Sequence, residues 1–438
     1  MITMIKRTHW LSLLSLLASF IFLVLPVAAQ QSPAPAPSEL EELKGKVKIL
    51  TDEVDSLKTK LVLPETAELK SLYGLGPAAS KIYQLGRGLS IGGYGETNFS
   101  LLIDDKGTGK NIFDFVRFVL YAGYKFTDRI LLNAEIEFEH AKVGSTTSAG
   151  SGDVEIEFAY LDFLLEEQAN IRAGLILIPV GFLNEIHEPP FYFGNKRPEV
   201  ETRLIPTTWR SNGVGLYGTL LPGLDYRTYG VTSFNAMGFS NSGVRGGRQS
   251  GNREFGDSLA WTGRLDYTMI PGLLVGTSFF WGDTGQDQLF GGQKVDANLV
   301  MYDVHAQYQL KGLHLRGLFT QTHLADARQV TLGVSAASRP VAERMWGAYL
   351  EAAYDILPLV MPGTRQSLSP FARFEWANTQ AEVPAGFSPD NTKDIEVINV
   401  GLSYKPIPNV VIKLDYRKLT PKSGTIADEL NTGFGFAF

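Results

Sequence analysis

The last nine residues alternate strictly. Leu430, Thr432, Phe434, Phe436 and Phe438 share one parity, while Asn431, Gly433, Gly435 and Ala437 fill the other. A period of two puts each set on its own face of a strand. One face here is aromatic and apolar. On the edge of a soluble sheet, which is the rival reading, such a strand invites aggregation. In a barrel closed within a bilayer the aromatics meet lipid and the backbone pairs with the first strand.

The rest of the chain carries the same alternation from Leu89 onward. We read sixteen strands, about Ser90–Ile103, Asn111–Lys125, Arg129–Ala141, Asp153–Leu165, Asn170–Ile178, Ser211–Leu220, Leu224–Asn235, Asp257–Met269, Leu273–Gly282, Ala297–Gln309, Leu313–Thr322, Arg344–Asp355, Leu368–Ala377, Lys393–Lys405, Val410–Leu419 and Glu429–Phe438. Short turns such as Leu221-Pro222-Gly223 and Ile270-Pro271-Gly272 alternate with longer polar loops. An even strand number with short and long connections on opposite sides is the pattern of outer-membrane barrels. Ile130, Leu132, Ala134, Ile136 and Phe138 oppose Arg129, Asn133, Glu135, Glu137 and Glu139. Charge at every second position does not suit a dry core but can line water, and sixteen strands enclose an aqueous channel.

The N-terminus reads as an export signal over residues 1–29. Lys6, Arg7 and His9 precede an apolar run, and Val27-Ala28-Ala29 supplies small residues for cleavage. Residues 30–38 form a Pro/Ala linker. Leu40, Leu43, Val47, Leu50, Val54, Leu57 and Leu61 follow at spacings of three and four, a coiled-coil seam over residues 39–63. Residues 64–88 form a bridge to the barrel domain at 89–438. The fold expected is all-β: a sixteen-stranded antiparallel transmembrane β-barrel preceded by a short N-terminal coiled-coil helix. It would sit in the bacterial outer membrane with the coiled coil in the periplasm.

Composition narrows the chemistry. The 438 residues include no cysteine, which excludes disulfides, thiolate metal sites and a cysteine nucleophile. The net charge of -6 argues against nucleic acid as a partner. The histidines lie without a paired serine or a metal spacing. No enzyme activity, catalytic residue, cofactor or metal is therefore expected.

The connection from Pro179 to Arg210 is too long to be a passive turn. Its apolar residues, Phe182, Phe191, Tyr192 and Trp209 among them, need a surface to pack on. Its charged residues are Glu185, His187, Glu188, Lys196, Arg197, Glu199, Glu201, Arg203 and Arg210. Folded into the lumen, such a loop would narrow the pore and set its field; the other reading is a cap or a grip on a neighbouring subunit. Parity makes Arg117, Arg227, Arg264, Arg316, Arg344, Arg373, Arg417, Glu135 and Glu137 the pore-wall candidates.

Three residue groups resemble the phosphate-selective porin O/P type among the trimeric porins of Gram-negative outer membranes. They are Gly92-Gly93-Tyr94-Gly95-Glu96, the Gly174 to Pro179 strand running into Pro189-Pro190-Phe191, and Arg197 to Glu201 followed by Ile205 to Arg210. The resemblance covers residues 89–438. It implies a homotrimeric channel, an infolded third loop, and a terminal aromatic signal (Phe434, Phe436, Phe438) read by the barrel-assembly machinery. It also implies a basic ladder through the pore, whereas inward acids here are about as numerous as inward bases. The expected function is passive diffusion of small hydrophilic solutes and ions, anions such as phosphate among them, through a barrel set in outer-membrane lipid. The alternative is a structural barrel that tethers the envelope through its coiled coil.

Overall fold

Strand pairing closes into a ring. In the computed structural model, which describes residues 41–48, 71–104, 107–145, 151–334 and 339–438, sixteen strands form one closed antiparallel barrel. They are β1 (Gly88–Ile103), β2 (Ile112–Lys125), β3 (Ile130–Glu139), β4 (Val154–Glu166), β5 (Ala169–Leu177), β6 (Arg210–Leu221), β7 (Leu224–Thr232), β8 (Leu259–Tyr267), β9 (Leu273–Gly282), β10 (Leu299–Leu310), β11 (Leu313–Leu324), β12 (Arg344–Tyr354), β13 (Ser367–Glu382), β14 (Asp394–Ile407), β15 (Val410–Pro421) and β16 (Asp428–Ala437). Each strand pairs with its sequence neighbour, and β1 closes on β16 with Tyr94 opposite Ala437 and Leu101 opposite Leu430. Two further hydrogen bonds join the terminal residue to the seam: Gly93 N donates to Phe438 O at 3.0 Å, and Phe438 N to Gly93 O at 2.9 Å. Closure leaves no unpaired edge, which is what a sheet in hydrocarbon requires.

The two faces of the ring differ in kind. On β8 and β9, Trp261, Leu265, Val275 and Trp281 are exposed, as are Leu350 on β12 and Leu414 on β15. A belt of this extent has no place in water and suits a lipid surface. The other parity is polar, and much of it is buried: Glu135, Asp162, Arg172, Asp303, Arg373, Glu375 and Arg417 are each at most 2% exposed. Here the structure departs from a freely wetted wall. These groups are covered by protein and paired with one another, not bathed in a wide channel.

Parity also corrects one wall assignment. Glu351 on β12 is buried, and counting back from it puts Arg344 on the opposite parity, with Trp346 and Leu350. Arg344 begins the strand at a register shift and pairs with the exposed Glu382 at 3.0 Å. It belongs to the rim, not the wall. Strand ends moved by a few residues; β13 runs on to Glu382, past the expected end at Ala377.

Among the described residues of the N-terminal unit, 41–48 are helical, with Lys44 on Glu41 at 3.0 Å and Lys46 on Glu42 at 2.6 Å. The signal peptide, the linker and most of the coiled-coil seam lie outside the described residues.

Candidate functional site

The site begins with the connection between β5 and β6, residues 178–209. Asn184 ties its base together: the side-chain amide donates to Ile178 O at 2.6 Å and Trp209 O at 2.8 Å, and accepts from Trp209 N at 2.6 Å. An apolar cluster including Val180, Leu183, Val200, Leu204, Ile205 and Trp209 fills its underside. These are residues the sequence could not leave in water.

From this base the charged side chains reach strands all round the ring. Glu185 meets Arg227 of β7 at 3.3 Å and Arg264 of β8 at 3.9 Å. Gly181 N donates to Asp303 of β10 at 3.0 Å. Arg316 of β11 donates to Phe191 O at 3.2 Å. Glu201 accepts from Leu183 N and from Tyr349 of β12, both at 2.7 Å. Arg373 of β13 donates to Phe193 O and Lys196 O, each at 3.2 Å. Asn195 N donates to Asp415 of β15 at 2.7 Å, and Lys196 pairs with Glu429 of β16 at 2.7 Å. Glu199 is gripped by Arg417 of β15 at 2.6 Å and by its own neighbour Arg203 at 2.5 Å. Tyr192 donates to Glu96 of β1 at 2.7 Å. Arg210 pairs with Glu155 of β4, and Arg117 with both Glu96 and Glu137 at 2.9 Å.

Electrostatics follow from burial and partners. Burial alone would raise the Glu199 carboxyl, but Arg417 and Arg203 outweigh it and hold it at about 2. Burial raises Glu188 to about 8, although two backbone amides oppose the rise. Burial pulls the His187 imidazole down, and Glu135 and Glu157 more than reverse this, to about 10. Burial and the crowding of Arg248, Arg197 and Arg117 lower Arg245 from the usual guanidinium range.

The segment before β1, a bridge by its sequence, also packs against the polar face of the strands. In residues 71–87, Ser80 Oγ ties the turn by donating to Gly76 O at 2.9 Å. Glu188 accepts from Ala78 N at 3.0 Å, and Asn133 of β3 donates to Ala79 O at 3.0 Å. Tyr83 donates to Asp162 of β4 at 2.6 Å, where Arg172 of β5 pairs at 2.9 Å and Tyr217 of β6 donates at 2.7 Å. The Arg172 guanidinium lies over the Tyr160 ring at 4.1 Å. Gly76 fits against Glu188 because it has no side chain; a Cβ there would lie 2.3 Å from Oε1. Small residues at 74–79 were the available signal for a close-packed segment.

A polar cavity of about 610 Å³ lies between the 178–209 segment, the β1–β2 wall and the β7–β8 loop. It is lined by Glu96, Asp114 and Arg117 from β1 and β2, by Lys196, Arg197 and Glu199 from the 178–209 segment, and by Arg245 and Glu429. Two guanidinium nitrogens of Arg197, Nε and Nη2, are buried there without a hydrogen-bond partner. Arg245 comes from the β7–β8 loop, a contribution that strand parity could not disclose.

The barrel resembles solved porins in architecture. OmpF of Salmonella typhi, solved in complex with daunomycin, is 15% identical, with a TM-score of 0.53 over 81% of this chain and 98% of that one. The outer-membrane channel DcaP of Acinetobacter baumannii is 12% identical, with a TM-score of 0.51 over 80% of this chain and 97% of that one. The fold is that of the outer-membrane porins. No protein-family model matches the sequence. An uncharacterized protein of Aquifex aeolicus (strain VF5) is 38% identical over 374 residues, 82% of each chain. The chain belongs to one family with it.

Proposed function

We propose that this porin-fold protein is a passive diffusion channel of the bacterial outer membrane for small hydrophilic solutes and ions. The observation that carries the reading is the 178–209 segment: its partners lie on strands from β1 round to β16. A loop that reaches opposite sides of a ring lies across its bore, which supports a fold into the lumen over a grip on a neighbouring subunit. Folded there, it acts as the constriction, and the 610 Å³ cavity beside it is the permeation path. Energy input and covalent chemistry play no part.

Anions such as phosphate are the favoured solutes. Arg197, with two nitrogens unpartnered, and Arg117 and Arg245 on the same cavity support this, in line with the resemblance of residues 89–438 to the phosphate-selective O/P porins. Guanidinium groups suit phosphate because their planar donors match its oxygens. Glu199 and Glu429 on the same cavity would add acids to these bases and give the path a transverse field. The assembly in this proposal is a homotrimer in outer-membrane lipid, inserted by the barrel-assembly machinery through Phe434, Phe436 and Phe438, with the coiled coil of residues 39–63 in the periplasm.

Single-channel recording in a planar bilayer tests the proposal. Conductance steps in threes, with a reversal potential on the anion side under a KCl gradient, are expected. A barrel that inserts and never conducts would sink it. The second reading would then lead: a structural barrel tethering the envelope. The closely paired interior and the inserted 71–87 segment favour that reading.

A further inference from the structure

We propose that Glu135, Glu157 and His187 form a binding site for a divalent cation of the zinc type. The three come from β3, β4 and the 178–209 segment, and each is at most 1% exposed. Their candidate ligand atoms all lie within 4.8 Å of one another. His187 Nε2 is 3.3 Å from Glu135 Oε1 and 3.1 Å from Glu157 Oε2. Tetrahedral zinc with bonds of about 2.0–2.1 Å holds its ligands about 3.3 Å apart.

Hydrogen bonding at the other ring nitrogen points the same way. His187 Nδ1 lies 3.1 Å from the Asn184 carbonyl. A carbonyl only accepts, so Nδ1 carries the hydrogen and donates. A metal that displaced the Nε2 proton would meet a lone pair facing two carboxylates. Ligating histidines are held this way, with the distal N–H on a backbone carbonyl.

Charge supplies an independent argument. Arg117 is engaged by Glu96 and Glu137, and Arg210 by Glu155. The remaining approach, Arg210 to Glu157 Oε1, is 3.9 Å. Glu135 and Glu157 are left to share one imidazole. Glu135 Oε2 has no hydrogen-bond partner, and Glu157, with His187 Nε2 3.1 Å from its Oε2, has Glu137 and the Thr208 hydroxyl beside it. Buried charge without compensation is costly. A proton on Nε2 bonds one carboxylate; a dication between the three compensates both. One nitrogen and two carboxylates suit zinc better than calcium or magnesium, which take more oxygen ligands. Three protein ligands leave a fourth position open.

The inference does not rest on the channel reading, and its test reads metal, not conductance. Tag-free full chain in detergent would be stripped with chelator, exposed to zinc chloride, gel-filtered and assayed for zinc per chain. One zinc per chain is expected. Glu157→Gln keeps the side-chain shape and should weaken binding at least ~10-fold, since even outer-shell losses cost that much. His187→Gln should do the same, while His140→Ala, at an exposed imidazole paired with Asp114, should bind like the parent. Heat-modifiable gel migration checks that each variant is folded. A folded parent without zinc, which would mean that protons hold the cluster, overturns the proposal. So does equal zinc in folded Glu157→Gln.

Discussion

Arg417 and Glu199 are 218 positions apart in sequence and 2.6 Å apart in space. The arginine side chain is 1% exposed and also holds Glu429 at 2.8 Å. It fastens the 178–209 segment to two strands at once. Arg417→Ala takes one partner from each of two partly buried carboxylates, a loss below the roughly 3–5 kcal/mol of a fully buried pair because Arg203 and Lys196 remain. Urea unfolding in detergent micelles should show a lower midpoint, and single-channel records should become noisier. An unchanged midpoint would mean that Lys196 and Arg203 suffice.

Glu199 gives a pH dependence of known sign. Its folded value of about 2 lies below the roughly 4.3 of an unfolded glutamate. Its contribution is therefore fully present above pH ~4.3 and is lost as pH falls toward 2. Unfolding midpoints measured over that window should fall in the parent. In Glu199→Gln this part of the slope should be missing.

Arg197 offers a clean change of field. With two nitrogens unpartnered, its replacement breaks few contacts. Arg197→Glu should move the reversal potential toward cations, with heat-modifiable gel migration checking that the variant is folded. An unmoved potential would place the anion preference elsewhere.

Residues 71–84 can be tested by unseating them. Gly76→Val would drive a side chain into the Glu188 carboxyl, 2.3 Å from where its Cβ would stand. Larger single-channel steps are expected from this variant and from a deletion of 71–84. Steps of parental size from the deletion would put the narrowest part of the path in the 178–209 segment alone.

The barrel was legible in the chain because a period of two is local: each strand reports its own faces, as Glu135 against Ile136 does. The charged loop was legible because Phe191 and Trp209 cannot share a surface position with so many carboxylates without a wall to lean on. What escaped was long-range. Nothing near Glu135 or Glu157 signals that His187 reaches both, and nothing near Ala78 signals Glu188. Arg344 was misplaced because its charge outweighed its parity: it shares a face with Trp346 and Leu350, opposite Glu351. β4 carries a register shift opposite Glu135 and Ile136, which moves Phe158 onto the same face as Glu157.

An interior fastened by guanidinium and carboxylate groups responds to heat differently from one filled with methyl groups. The penalty for stripping water from ions shrinks as temperature rises, while the gain per unit of buried hydrocarbon levels off. The Arg373 knot, with Glu351 at 3.1 Å and Glu375 at 2.8 Å, thus becomes relatively stronger on warming. The inside of this barrel should soften late, after the external loops have begun to melt.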